Sequence, residues 1–216
     1  MKIDKKHLIT YIILTILALT SGILYLTIGE KIMPNYREGA LLFMILGIVC
    51  IFVPILAELL LKIKLSFTNF LIYEGFIMYT VFFCSIWNFY DIWSGCDIIA
   101  HTLSGVIFAV IFYDAFTQSS KNKVSLIWLF VVCLAFACMG GVLWEIFEFT
   151  TDAIRNQNMQ KYLSPLGEAF VGRSALIDTM LDAICNLVGA VIGSIVAVFL
   201  QKDKQKKICN NENVIE

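Results

Sequence analysis

Six apolar stretches dominate the chain, each close to the roughly 20 residues that carry a helix across a bilayer core. They cover residues 8–28, 39–61, 67–90, 98–117, 124–149 and 177–200. The breaks between them are polar or turn-forming: 30–38 with Pro34 and Asn35, 62–66, 91–97, 118–123, and a long one at 150–176 with Pro165, Gly167 and Gly172. This pattern predicts an all-α polytopic membrane bundle of six transmembrane helices. The chain then divides into an N-terminal segment at 1–7, a transmembrane domain at 8–200 and a polar, flexible tail at 201–216. No internal repeat is apparent.

Composition agrees. Of 216 residues, 59% are apolar and 15% charged, with mean hydropathy +0.82. A soluble domain would be about half apolar and about a quarter charged, so the expected partner is the lipid bilayer. A net charge of -1 argues against a nucleic-acid surface. Seven cysteines are scattered without a CxxC pair, and two histidines are present; neither a disulfide framework nor a Cys/His zinc site is expected. The first stretch follows Lys2, Lys5 and Lys6 but exceeds a signal-peptide core of about 7–15 residues. It reads as a retained helix.

Lys and Arg set the orientation. The N-terminus, the second and fourth connections and the C-terminal tail together hold 11, and the other connections hold 5. Both termini are therefore expected in the cytoplasm, in a multi-pass protein of the bacterial inner membrane.

Polar residues break the apolar stretches at helical spacing. The third carries Cys84, Asn88 and Asp91; the fourth Asp97, His101, Ser104 and Gly105; the fifth Cys138, Gly141, Glu145, Glu148 and Asp152; the sixth Asp178, Asp182, Asn186, Gly189 and Gly193. Each set forms one stripe, and all lie toward the outer ends. A charge facing lipid near mid-helix costs about 2.5–3.5 kcal/mol on insertion scales, so these groups are expected to meet in an outward-opening acidic pocket. Gly189 and Gly193 form a small-xxx-small pair that allows close helix approach.

Several carboxylates in one low-dielectric pocket need protons or a cation. His101, Arg155 and Arg173 are candidate positive charges. A divalent cation (Mg, Mn or Ca) would suit oxygen ligands with one imidazole. The candidate ligands are Asp97, His101, Glu145, Glu148, Asp178 and Asp182, with Asp97, His101, Glu145 and Asp182 also candidate catalytic groups. Plainer readings stand beside this one. Asp152 could be solvated at the interface, the acids could form a structural hydrogen-bond network, and His101 could be a satisfied core histidine. Trp87, Trp93, Trp128 and Trp144 read as interfacial anchors. Glu74 lacks a local partner, with Lys64 as a guess, and Glu58–Lys62 reads as a surface pair. Ser104-Gly105 lacks the rest of a serine-protease motif. The apolar residues of the long connection (Leu163, Leu166, Phe170, Val171) predict a loop that dips back over the outer mouth.

The order YD (Tyr90, Asp91), D-x-x-x-H (Asp97, His101), W-E-x-x-E (Trp144, Glu145, Glu148) and D-x-x-x-D-x-x-x-N-x-x-G (Asp178, Asp182, Asn186, Gly189), with P-x-x-x-E (Pro54, Glu58), resembles the YjdF-like family of uncharacterised bacterial inner-membrane proteins. A fainter likeness is to VanZ-like proteins. The resemblance spans roughly residues 40–200 and departs at Thr102, where relatives often carry an aromatic after the His. It implies a six-helix membrane fold and no established activity.

Three functions are consistent with these features. One is a divalent-cation-dependent enzyme acting on a lipid-linked or envelope substrate, or another small polar ligand, from the outer side. A second is an ion- or proton-coupled small transporter. The third is a non-catalytic scaffold or resistance factor.

Overall fold

The computed structural model describes residues 4–32, 40–120, 124–164 and 166–212. Pro34, Asn35, Pro165 and the charges at Lys2, Arg37, Lys121 and Lys123 lie outside the described residues. Long runs of Leu, Ile, Val, Phe and Ala, with few Gly or Pro, favour helix and cannot be hydrated, and helix is what forms. The elements are α1 (Lys5–Ile32), α2 (Ala40–Ile51), α3 (Val53–Leu61), α4 (Phe67–Ile77) continued by a π-helix at Met78–Ile86, a one-turn α5 (Phe89–Ile92), α6 (Gly95–Ser119), α7 (Leu126–Arg155) and α8 (Ile177–Glu212). Among the described residues there is no strand; one isolated bridge joins Leu163 and Ala169.

Among the described residues five helices are long and apolar enough to cross a membrane, or six if α2 and α3, bent by 43° at their junction, count as one span. The bend has a local cause. Pro54 sits in the first turn of α3, and its missing N–H leaves the carbonyl four residues back, that of Cys50, without its intrahelical donor. The Tyr73 hydroxyl donates to it instead, at 2.9 Å. Side chains such as Ile16, Ile127, Ile154 and Leu60 are more than half exposed. A water-soluble surface rarely tolerates so much exposed apolar area, and lipid accounts for it.

The chain forms two compact units, Met1–Ala100 and His101–Glu216. In the first unit α1 and α4 run parallel: His7 packs on Phe67 and Phe70 near one end, and Tyr25 on Trp87 near the other. The third stretch does not continue as one α-helix. It passes into the π-helix, where the Ser85 hydroxyl donates to the Thr80 carbonyl five residues back (3.0 Å), and then breaks at Asn88, whose backbone is left-handed. The expected stripe of Cys84, Asn88 and Asp91 is therefore not a helical face. Asn88 donates locally to Asp91 (3.0 Å).

In the second unit, α7 starts on a Ser125 cap that accepts from the Trp128 N–H (3.3 Å) and ends at Asn156 in the left-handed region, as Asn does at helix ends. The helix α8 runs on through residues 201–212, into the stretch expected as a tail. At 36 residues and 1.5 Å per residue it is about 54 Å long, well beyond a bilayer core of about 30 Å.

Candidate functional site

Contact between α6 and α8 depends on glycines. A Cβ on Gly189 would strike the Thr102 carbonyl oxygen, one on Gly193 would meet Val106 backbone atoms, and one on Gly105 would strike the Asn186 carbonyl. Gly141 of α7 leaves room for the Asn186 side chain, which a Cβ there would meet at 2.5 Å. Asn186, 3% exposed, thus packs between α6 and α7. Its amide donates to the Ser104 hydroxyl (3.0 Å), which donates to the His101 carbonyl (2.8 Å). Ser104, dismissed as part of a protease motif, links α8 to the backbone of the histidine turn.

One turn further along each helix the titratable groups converge. His101, 6% exposed, directs Nδ1 toward Glu145 Oε1 at 3.9 Å and Nε2 toward Asp182 Oδ2 at 3.7 Å. Both distances exceed a direct hydrogen bond. Glu145, Glu148 and Asp182 each offer an oxygen within 4.8 Å of the others. Glu148 (7% exposed) and Asp182 (4%) are buried, and Glu145 nearly so. Three of the predicted acids and the histidine are brought together.

Asp178, a further predicted ligand, is placed differently. Asp178 pairs with Lys161 at 3.1 Å and is not part of the three-carboxylate group. Asp97 stands in the first turn of α6, half-buried, in the first unit. Two of the expected basic partners, Arg155 and Arg173, are exposed, and Lys161 is the loop residue that pairs with Asp178. Trp144 is also not a simple interfacial anchor, since its Nε1 donates to Glu148 Oε1 at 2.8 Å. That role was legible in principle, because Trp144 and Glu148 are four apart on one helix.

The long connection is held by polar groups. Buried Asp152 accepts from the Met159 and Gln160 N–H groups (2.7 and 2.9 Å), so it is a loop anchor and not a solvated end. Asn158 both donates to and accepts from the Leu163 backbone, and Gln160 donates to Thr179 (3.0 Å). Leu166 and Val171, expected to dip inward, are more than 80% exposed, because these backbone clamps fix the loop without them.

Comparison with known proteins places this architecture. Residues 9–203 match the family described as "Predicted membrane protein (DUF2238)". The chain belongs to that family. A Thermotoga maritima relative, described as an uncharacterized protein, is 33% identical over 103 residues, covering 47% of this chain and 47% of the relative. The aligned part thus spans about half the length of that protein. No solved structure matches. This member of DUF2238 is an all-α, multi-pass membrane protein with an acid–histidine cluster in its second unit.

Proposed function

We propose that Glu145, Glu148 and Asp182, with His101, hold a hard divalent cation (Mg, Mn or Ca), and that the centre serves a reaction on a lipid-linked or envelope substrate. The supporting observation is that the three carboxylates offer oxygens within 4.8 Å of one another, with Glu148 and Asp182 buried and Glu145 partly so. Like charges at that separation repel by about 3–4 kcal/mol per pair at an effective dielectric near 20, and a dication would cancel this. Ions with oxygens at about 2.0–2.6 Å have opposite ligands about 4–5 Å apart, which matches the cluster. A bound ion of this kind would supply Lewis acidity and an activated water. The chain's own part is to fix the acids: Trp144 orients Glu148, and the Asn186–Ser104 link fixes the turn that carries His101.

The exposed Leu166 and Val171 on a loop tied to Asp152 and Asp178 favour an amphiphilic substrate, with its apolar part in lipid and its polar part at the cluster. With both termini cytoplasmic, as the Lys/Arg bias predicts, the cluster would face outward. The YjdF-like assignment within DUF2238 and the bacterial inner membrane as its location belong to the same proposal.

The test is elemental analysis of detergent-purified protein with a parallel melting curve. About one divalent ion per chain is expected, with chelator lowering Tm and re-addition restoring it; saturation at about 100 times Kd is worth about 2.7 kcal/mol. Glu148→Gln and Asp182→Asn should lose the ion. If both variants melt lower while no ion is found and no added ion raises Tm, the cluster is a structural network and the proposal fails.

A further inference from the structure

A second acid, in the first unit, takes no part in that cluster. Glu74 is 1% exposed, and among the described residues neither carboxylate oxygen has a hydrogen-bond partner. The sequence-based guess of Lys64 as its partner is not met. Its surroundings are apolar or weakly polar. Tyr11 of α1, Cys50 of α2 and the adjacent Tyr73 lie within reach of its charge, and Glu58 of α3 within reach of Tyr11. The Tyr73 hydroxyl is already committed to the Cys50 carbonyl. A second orphan lies nearby. His7, one turn before Tyr11, has a buried Nδ1 without a partner; its ring and that of Tyr11 both pack on Phe70, at 4.7 and 5.0 Å. Since Phe70 is one turn before Glu74 on parallel α4, His7 stands one turn toward the start of α1 from the Tyr11–Glu74 level.

An ionised carboxylate buried this way costs several kcal/mol, so it must take a positive ligand. Hard metal ions ask for about six or more oxygens. Among the described residues Glu74 joins no group of three acid, His or Cys ligands. A proton needs one oxygen.

We propose that Glu74 is an intramembrane proton-binding carboxyl, distinct from the acid–histidine cluster. The groups facing it are Tyr11 and His7 of α1, Cys50 of α2, Glu58 of α3 by way of Tyr11, and Tyr73 of its own helix. Such a group is recognised by a hydrophobic carbodiimide. The acid proton moves to one carbodiimide nitrogen, the carboxyl oxygen bonds to the central carbon, and the acyl group then migrates to nitrogen. The whole reagent is retained and nothing leaves.

The full chain in lipid nanodiscs is treated with dicyclohexylcarbodiimide over a pH series and mapped by peptide mass. Glu74 is expected to carry the main label, falling about tenfold per pH unit above its midpoint, and Glu74→Gln should lose it while exposed Asp4 is unaffected. The wild-type pH series stands even if that variant does not fold. Labelling of Asp4 but not Glu74, a pH-independent label, or suppression by sodium at fixed pH each overturns the proposal; sodium protection would mean an alkali-cation site.

Discussion

Replacing Gly189 by alanine adds one methyl group where α6 and α8 are closest. The new Cβ would strike the Thr102 carbonyl oxygen, with Thr102 C at 2.8 Å and Cα at 3.2 Å. These are backbone atoms, so no rotamer relieves the clash and the helices must part. Overpacking of this kind costs about 1–3 kcal/mol, and stretching the Asn186–Ser104 bond adds about 1 kcal/mol, giving about 2–4 kcal/mol. For a chain of this length about 2–4 °C of Tm follows each kcal/mol, so a fall of roughly 5–15 °C is expected. Gly75→Ala is the matched control. It lies inside α4, where a Cβ meets nothing within 4 Å, and the gain in helix propensity is up to about 1 kcal/mol. The same chemical change should therefore move Tm in opposite directions, read by intrinsic fluorescence melts in one detergent. Gly189→Ala should also weaken ion retention, because Asp182 and His101 sit on the two separated helices. If Gly189→Ala melts at or above Gly75→Ala, the close-contact account of α6 and α8 is wrong.

Trp144→Phe keeps the ring bulk but removes the donor to Glu148 Oε1. The loss of a hydrogen bond to a charged group predicts about 1.5–3 kcal/mol, read as a lower Tm and a weaker ion affinity in titration of the purified protein. Asp152→Ala removes both acceptors that hold the Met159 and Gln160 N–H groups. Limited proteolysis should then cut within 156–171 many times faster than in wild type, while cleavage elsewhere is unchanged; equal cutting rates would refute the anchor role.

The stripes of α6, α7 and α8 were legible because those helices are continuous, so spacings of three and four survive from sequence to space. His101, Glu145, Glu148 and Asp182 meet for that reason, and Gly189 works as the small-residue pattern predicts. The third stretch defeats the same rule. A π-helix changes the angular step per residue, and Asn88 then takes a left-handed backbone, so equal spacing no longer means one face. The second stretch is bent by Pro54, a residue noted in the sequence only as part of a family motif. Asp178 and Lys161 form a pair that no helical period links, since Lys161 reaches α8 from a loop whose path is set by Asp152 and Asn158. The apolar residues of that loop were expected inside, but hydrophobicity alone does not say which side of an interface a side chain faces when lipid is available.

What lies beneath the cluster bears on which function it can have. Going along α8 from Asp182, the buried positions are Asn186, Gly189, Ala190, Gly193, Ser194 and Ala197, with Ala190, Ser194 and Ala197 at 0% exposure. Ala109 of α6 and Ala137, Cys133 and Leu129 of α7 pack in the same core at 0–1% exposure. Glycines at 105, 189 and 193 bring α6 and α8 into backbone contact along this stretch. An ion crossing the bilayer needs waters or polar ligands at each step to replace its hydration shell, and a core of alanine and leucine with glycine backbone contact offers little beyond the Ser194 hydroxyl and the Cys133 thiol. Within the second unit the cluster of Glu145, Glu148 and Asp182 with His101 thus stands at one end of this packed stretch. Within this unit a group that holds a cation and works on what arrives from that side fits the packing better than one that passes the ion onward.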